Sequence, residues 1–162
     1  MPKDGDFGEL ERVWEEHRTH ALQPVSLLTA LVHTEAEALH LTTAWKLSNH
    51  NRQLATFVAQ HRSIALDPGT PIKYYMDLLV DKAPMQSVLE ALHYAGQHRM
   101  AEQIQGWPIP RFPVNGKDLK EVGIKAGPEL GRLLRRLHEK WKESYFTLTK
   151  EELLAQLQTK KN

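Results

Sequence analysis

The spacing most suited to chemistry lies in Leu119-Lys120-Glu121-Val122-Gly123-Ile124-Lys125-Ala126-Gly127-Pro128-Glu129-Leu130-Gly131. A short helix that stops at Gly123, followed by a second that starts at Gly127-Pro128, leaves the free amides of the second helix's first turn facing outward. Those amides carry about half a positive charge and can hold a phosphate. Gly127 lets a backbone approach closely, and Gly131, one turn on, removes a side chain from the same side. Glu129 works against this, because a carboxylate in the first turn competes for the amides. Farther along, Arg132, Arg136 and Lys140 recur at i, i+4 and i+8 with Arg135 beside them, a row able to track a phosphodiester backbone. The row alone reads better as an ordinary solvated helix face; row and turn together leave the two readings level.

Other chemistries find less support. Nine histidines invite a metal reading, and His17 and His20 stand at i, i+3 beside Glu15 and Glu16. There is no HExxH and no third ligand at a sensible spacing, so surface histidines and no metal site are expected. Asp4-Gly5-Asp6 has the D-x-D form that holds two magnesium ions in nucleotidyl transfer, but no preceding strand or Gly-Ser turn fixes it, and it is rejected. GxSxG and the Walker GxxxxGK[ST] are absent. No catalytic residue is assigned. Trp14, Trp45 and Trp141 fall on helical stripes and are expected in the core. Trp107, among prolines, could stack on a base, although packing is the better expectation.

The elements that must position these residues are helical. Phe7, Leu10, Val13, Trp14 and His17 form one amphipathic stripe. A second helix opens at Pro24 and buries Val25, Leu27, Leu28, Leu31 and Val32. Leu41–Leu47 predicts a short helix, and Leu54, Phe57, Val58, His61 and Ile64 form the next stripe. The breaker cluster 67–71 is a loop. Pro71 and Pro84 open further helices, and Met100 and Ile104 carry the pattern to Gly106. No alternating strand pattern exceeds a few residues. Three prolines within 106–113 cannot continue a helix. Beyond them come a short helix from Lys117 to Val122, a long one from Pro128 to about Ser144 burying Leu130, Leu134, Leu137 and Trp141, and a last one from Lys150. Thr149 and Glu152 resemble a capping box. The expectation is an all-α chain: an irregular multi-helix body over 1–106, a proline-rich connector over 107–113, and a smaller basic helical tail over 114–162.

Composition narrows the classes. The 162 residues suit one domain or slightly more, and the complete lack of cysteine removes zinc ribbons, thiol chemistry and disulfide frameworks. No apolar run is long enough to span a membrane, and the acid-containing start has no apolar segment of a signal or transit peptide, so a soluble, intracellular chain is expected. The net charge of +1 conceals an asymmetry: residues 1–98 sum to −4 and residues 99–162 to +5. A basic end is one that can face a polyanion.

Residues 112–146, FPVNGKDLKEVGIKAGPELGRLLRRLHEKWKESYF, resemble the tail of the class II CCA-adding tRNA nucleotidyltransferases, most of all the animal, mitochondrial-type version. Gly116-Lys117-Asp118-Leu119, Gly123-Ile124 and Gly127-Pro128-Glu129-Leu130-Gly131 carry the likeness. Pro24-Val25-Ser26-Leu27-Leu28, Val58-Ala59-Gln60-His61-Arg62 and Trp107-Pro108-Ile109-Pro110 resemble the same family's body. The resemblance implies an all-α body and tail without the catalytic head and neck. In the family the head binds magnesium through paired carboxylates, and head and neck take CTP and ATP to add C, C and A to tRNA 3′ ends. By that resemblance this chain holds no cofactor and is inactive alone. It grips the acceptor and T arms of tRNA by shape and backbone, with phosphate contacts from Lys117, Lys125, Gly127, Arg132, Arg135 and Arg136. The location implied is mitochondrial, with cytoplasm and nucleus also open, and no membrane is involved.

Two other classes stay open. Val122-Gly123-Ile124-Lys125-Ala126-Gly127 is similar to the hairpin of helix-hairpin-helix proteins, which hold duplex backbones through turn amides. A helical protein-interaction domain, with the basic row as solvated surface, is the other.

Overall fold

The computed structural model describes residues 7–158; Asp4-Gly5-Asp6 lies outside them. Among the described residues there are ten helices and no strand, the all-α class expected: α1 (Gly8–His20), α2 (Pro24–Thr29), α3 (Glu35–Ala44), α4 (Asn49–Leu66), α5 (Ile72–Val80), α6 (Met85–Tyr94), α7 (His98–Gln105), α8 (Gly116–Glu121), α9 (Pro128–Glu143) and α10 (Lys150–Gln158). None of them is long and apolar enough to cross a membrane. The chain divides into two compact units between Pro108 and Ile109, within the proline-rich stretch.

In the first unit α4 is the hub, packed by α2, α3 and α6. Its stripe places Leu54, Ala55 and Val58 against Val13, Leu22, Val25 and Tyr94. A second cluster joins Ala65, Tyr75, Leu79, Val88, Leu92, Ala101 and Ile104, with Trp107 packed against it, so that tryptophan is a packing residue. Each fully buried Leu, Ile or Val stabilises by about 1.5–3 kcal/mol.

Helix α2 has only six residues, too few to satisfy most of its own amides and carbonyls. Distant side chains do so instead. The buried Glu90 of α6 accepts from the Gln23 amide and from Ser26 Oγ, both at 2.6 Å. At the other end Arg62 of α4 donates to the carbonyls of Thr29 and Val32 and pairs with Glu9 Oε1 at 3.3 Å. The Tyr94 hydroxyl donates to the same Glu9 oxygen at 2.6 Å.

Three expectations need correction. Leu27, Leu28 and Leu31, expected in the core, are only partly covered, and Ser26 and Thr29 are buried on α2 instead. Trp14 and Trp45 are 51% and 55% exposed, not core. Val13 takes the buried position on α1, and Trp45 is the residue that ends α3. The helix expected over 41–47 is α3, which begins six residues earlier because Thr34 caps it: Thr34 Oγ1 accepts from the Glu37 amide at 3.1 Å, and Glu37 Oε2 in turn accepts from the His33 amide at 2.7 Å. Its apolar stripe is weak, with only Ala38 and Thr42 buried.

The second unit buries Val114, Leu119, Leu137, Trp141 and Leu153, with Phe112 and Phe146 against the Trp141 ring at 5.4 and 5.2 Å. Gly116 brings α8 onto α9: a Cβ there would lie 3.4 Å from Leu130 Cδ2.

Candidate nucleic-acid interface

Helix α8, the turn after it and α9 are held by local bonds that the sequence encodes. Asn115 starts α8 with a capping box, its side chain accepting from the amides of Lys117 and Asp118 at 2.9 and 3.2 Å while Asp118 Oδ2 accepts from the Asn115 amide at 2.8 Å. Asp118 Oδ1 takes Lys150 Nζ at 2.7 Å, which ties α8 to the start of α10. That bond from Lys150, and then the Asn115 amide, holds the Asp118 carboxyl below its ordinary pKa. Thr149 and Glu152 cap α10 reciprocally, at 2.8 and 3.3 Å, as expected.

The end of α8 is a Schellman turn: the Gly123 amide donates to Lys120 O and the Ile124 amide to Leu119 O, each at 3.0 Å, with Gly123 at φ +91°. These two amides are therefore consumed inside the turn. No acceptor among the described residues takes the amides of Lys125, Ala126 or Gly127. Gly127, at φ +149°, is the N-cap of α9 and offers no side chain to close that end. A Cβ at Gly127 or Gly131 would meet nothing within 4 Å, so neither glycine serves internal packing.

Lys117, Lys125, Gly127, Arg132, Arg135 and Arg136 are all exposed. Among the described residues no carboxylate pairs with Lys125, Arg132 or Arg136. Arg135 Nε reaches back to Gly131 O at 3.4 Å. Lys140 is half-buried rather than fully on the surface, which shortens the row to its first two arginines. Leu137 and Trp141 are buried on the opposite side of α9, while Leu130 and Leu134 are only partly covered. The buried Lys142, at 3.0 Å from Glu139, belongs to packing. This surface can bind anions through a cluster of cations and an uncapped helix start. It presents no nucleophile with a base beside it.

The family-like stretch Val58-Ala59-Gln60-His61-Arg62 has a structural explanation: Arg62 secures α2, and His61 Nδ1 lies 2.8 Å from the Tyr74 hydroxyl. Burial pushes the His61 pKa down.

Sequence spacing missed one constellation in the first unit. His20 from the end of α1, His93 from α6 and His98 from α7 bring one ligand atom each within 4.8 Å of one another. His17, paired with His20 by spacing, instead faces Leu22 O at 2.8 Å. The only local signal was His93 and His98 on either side of Gly96.

No family model matches the chain. The chain is similar to CCA tRNA nucleotidyltransferase 1, mitochondrial, of Danio rerio, 32% identical over 163 residues that make up 97% of this chain and 38% of that protein. The proteins of the same name from Mus musculus and Homo sapiens are each 32% identical over 161 residues, 96% of this chain and 37% of theirs. The chain thus spans less than two-fifths of the length of the relatives it matches, and nearly all of it takes part in the likeness. The resemblance indicated by the 116–131 motif extends through both units.

Proposed function

We propose, from this similarity to part of a CCA tRNA nucleotidyltransferase, that the chain is the body-and-tail, tRNA-gripping portion of such an enzyme. It serves maturation and repair of tRNA 3′ ends in mitochondria. The observation that carries the reading is the exposed, carboxylate-free set Lys125, Arg132 and Arg136 around the uncapped start of α9, within the motif through which the resemblance runs. Lys117, Gly127 and Arg135 complete the phosphate contacts. The acceptor and T arms of tRNA are the double-helical surface such a face would meet, recognised by backbone and shape. Magnesium, CTP and ATP are handled by head and neck parts of the enzyme, so this chain alone transfers no nucleotide.

The test is a binding titration of the chain against tRNA lacking CCA, with a DNA duplex of equal charge alongside, at two salt concentrations. Salt-sensitive binding that prefers the tRNA is expected. Equal weak binding to both would move the assignment to a general backbone-binding hairpin, and binding to neither would remove it. Consumption of the Gly123 and Ile124 amides inside the Schellman turn weighs against the hairpin reading.

A further inference from the structure

We propose that His20, His93 and His98 form a binding site for a zinc(II) ion, with Glu16 as the carboxylate that orients His98. The site lies within the first unit and is independent of the tRNA reading.

The geometry begins with His98. Its Nε2 lies 2.6 Å from Glu16 Oε2, so that nitrogen carries the proton and the lone pair is on Nδ1. Nδ1 of His98 faces Nδ1 of His93 at 2.9 Å. Two nitrogens bound tetrahedrally to zinc at about 2.0–2.1 Å stand roughly 3.3 Å apart, so an ion enters between them after an opening of a few tenths of an ångström. In the metal-free chain the same two atoms share the His93 proton. Binding moves that proton to His93 Nε2 without net release. A carboxylate behind a ligating imidazole fixes ring and tautomer and raises its basicity, as Glu16 is placed to do.

The third ligand comes from α1. The His20 ring stacks on His98 with centroids 3.4 Å apart and lies 5.1 Å from the His93 ring. It is exposed, so turning the ring exchanges stacking for coordination and leaves a fourth position open to water. The backbone supports the approach. Gly96, at φ +74°, makes the turn between α6 and α7, and a Cβ there would stand 2.9 Å from Glu16 Oε1. Any other residue would displace the carboxylate that holds His98. The titratable and charged groups around His93 are Glu16, Glu102, His20 and His98. Three imidazole donors with a fourth position left to water are a coordination set that zinc takes. Bound there, the ion would fasten the last turn of α1 to the α6–α7 corner.

The experiment uses the full chain stripped with a chelator and then titrated with zinc sulfate against a chromophoric competitor, with cobalt(II) absorption as a coordination readout. One zinc per chain and a tetrahedral cobalt spectrum are expected. His93→Ala and His98→Ala should each abolish both signals. Glu16→Gln should weaken zinc by about 10–100-fold. His20→Ala removes an exposed ring that stacks on His98 and lies outside the hydrophobic core, so it should weaken zinc and alter the cobalt band in a chain whose helical circular dichroism is unchanged. His40→Ala, at an exposed position elsewhere on the surface, should change nothing. Absence of stoichiometric zinc, or binding that survives His20→Ala and Glu16→Gln unaltered, overturns the proposal.

Discussion

Arg62 illustrates how much a single side chain can carry. It is 7% exposed and spends its guanidinium on two carbonyls at the end of α2 and on Glu9. Glu9 is partly exposed, so removing the guanidinium costs chiefly through the two carbonyls left without a donor, about 1–3 kcal/mol each. Arg62→Ala is therefore expected to lower the unfolding midpoint in urea strongly, whereas Tyr94→Phe, which deletes only the hydroxyl bonded to Glu9, should cost about 1–2 kcal/mol. Asp118 supplies a pH dependence of definite sign. Its folded pKa is lowered by Lys150 and by the Asn115 amide, so the unfolded chain binds the proton more readily. Its contribution is then complete above the ordinary carboxylate range, about pH 4, and is lost as pH falls through the lower folded value. Acid titration of helical circular dichroism should show this loss, and Asp118→Asn should remove it.

At the level of the element, the start of α9 separates folding from function. Gly131 lies within α9, and a Cβ there meets nothing. Gly131→Ala should stabilise the helix by about 0.5–1 kcal/mol. If a tRNA backbone approaches this face, the same substitution should weaken tRNA binding, an opposition that thermal melts and a binding titration will resolve. On the same helix, Arg132→Ala with Arg136→Ala should weaken tRNA binding across sequences and reduce the salt slope by about 1 for each phosphate no longer neutralised. An unchanged slope would assign the arginines to solvated surface. The capping boxes at Asn115/Asp118 and Thr149/Glu152 keep these elements in place from within the second unit. Thr34 does the same for α3, and Thr34→Ala should cost about 1 kcal/mol.

For the molecule as a whole, the two units differ in charge. Residues 1–98 sum to −4 and residues 99–162 to +5, and the division between units falls at Pro108 and Ile109. Fragments 1–108 and 109–162, made separately, should partition accordingly. Salt-sensitive retention on a polyanion column should follow the second fragment, and zinc should follow the first. The second fragment is small enough that its stability should be marginal, which a urea melt beside that of the intact chain will report.

Much of this was present in the sequence. Prolines at helix starts, the Gly123 and Gly127 stops, the Thr149–Glu152 box and the leucine stripes are features of neighbours within one or two turns, and local backbone energetics suffice to determine them. The likeness through 116–131 was legible for the same reason, since a turn motif is contiguous. The exposure of Trp14 and Trp45, the fastening of α2 by Glu90 and Arg62, and the meeting of His20 with His93 and His98 depend on which helices pack together. His20 and His93 are brought together only because α1 packs on α6. Periodicity along one helix records which face is apolar but carries no information about the partner that will cover it; only tertiary packing decided that.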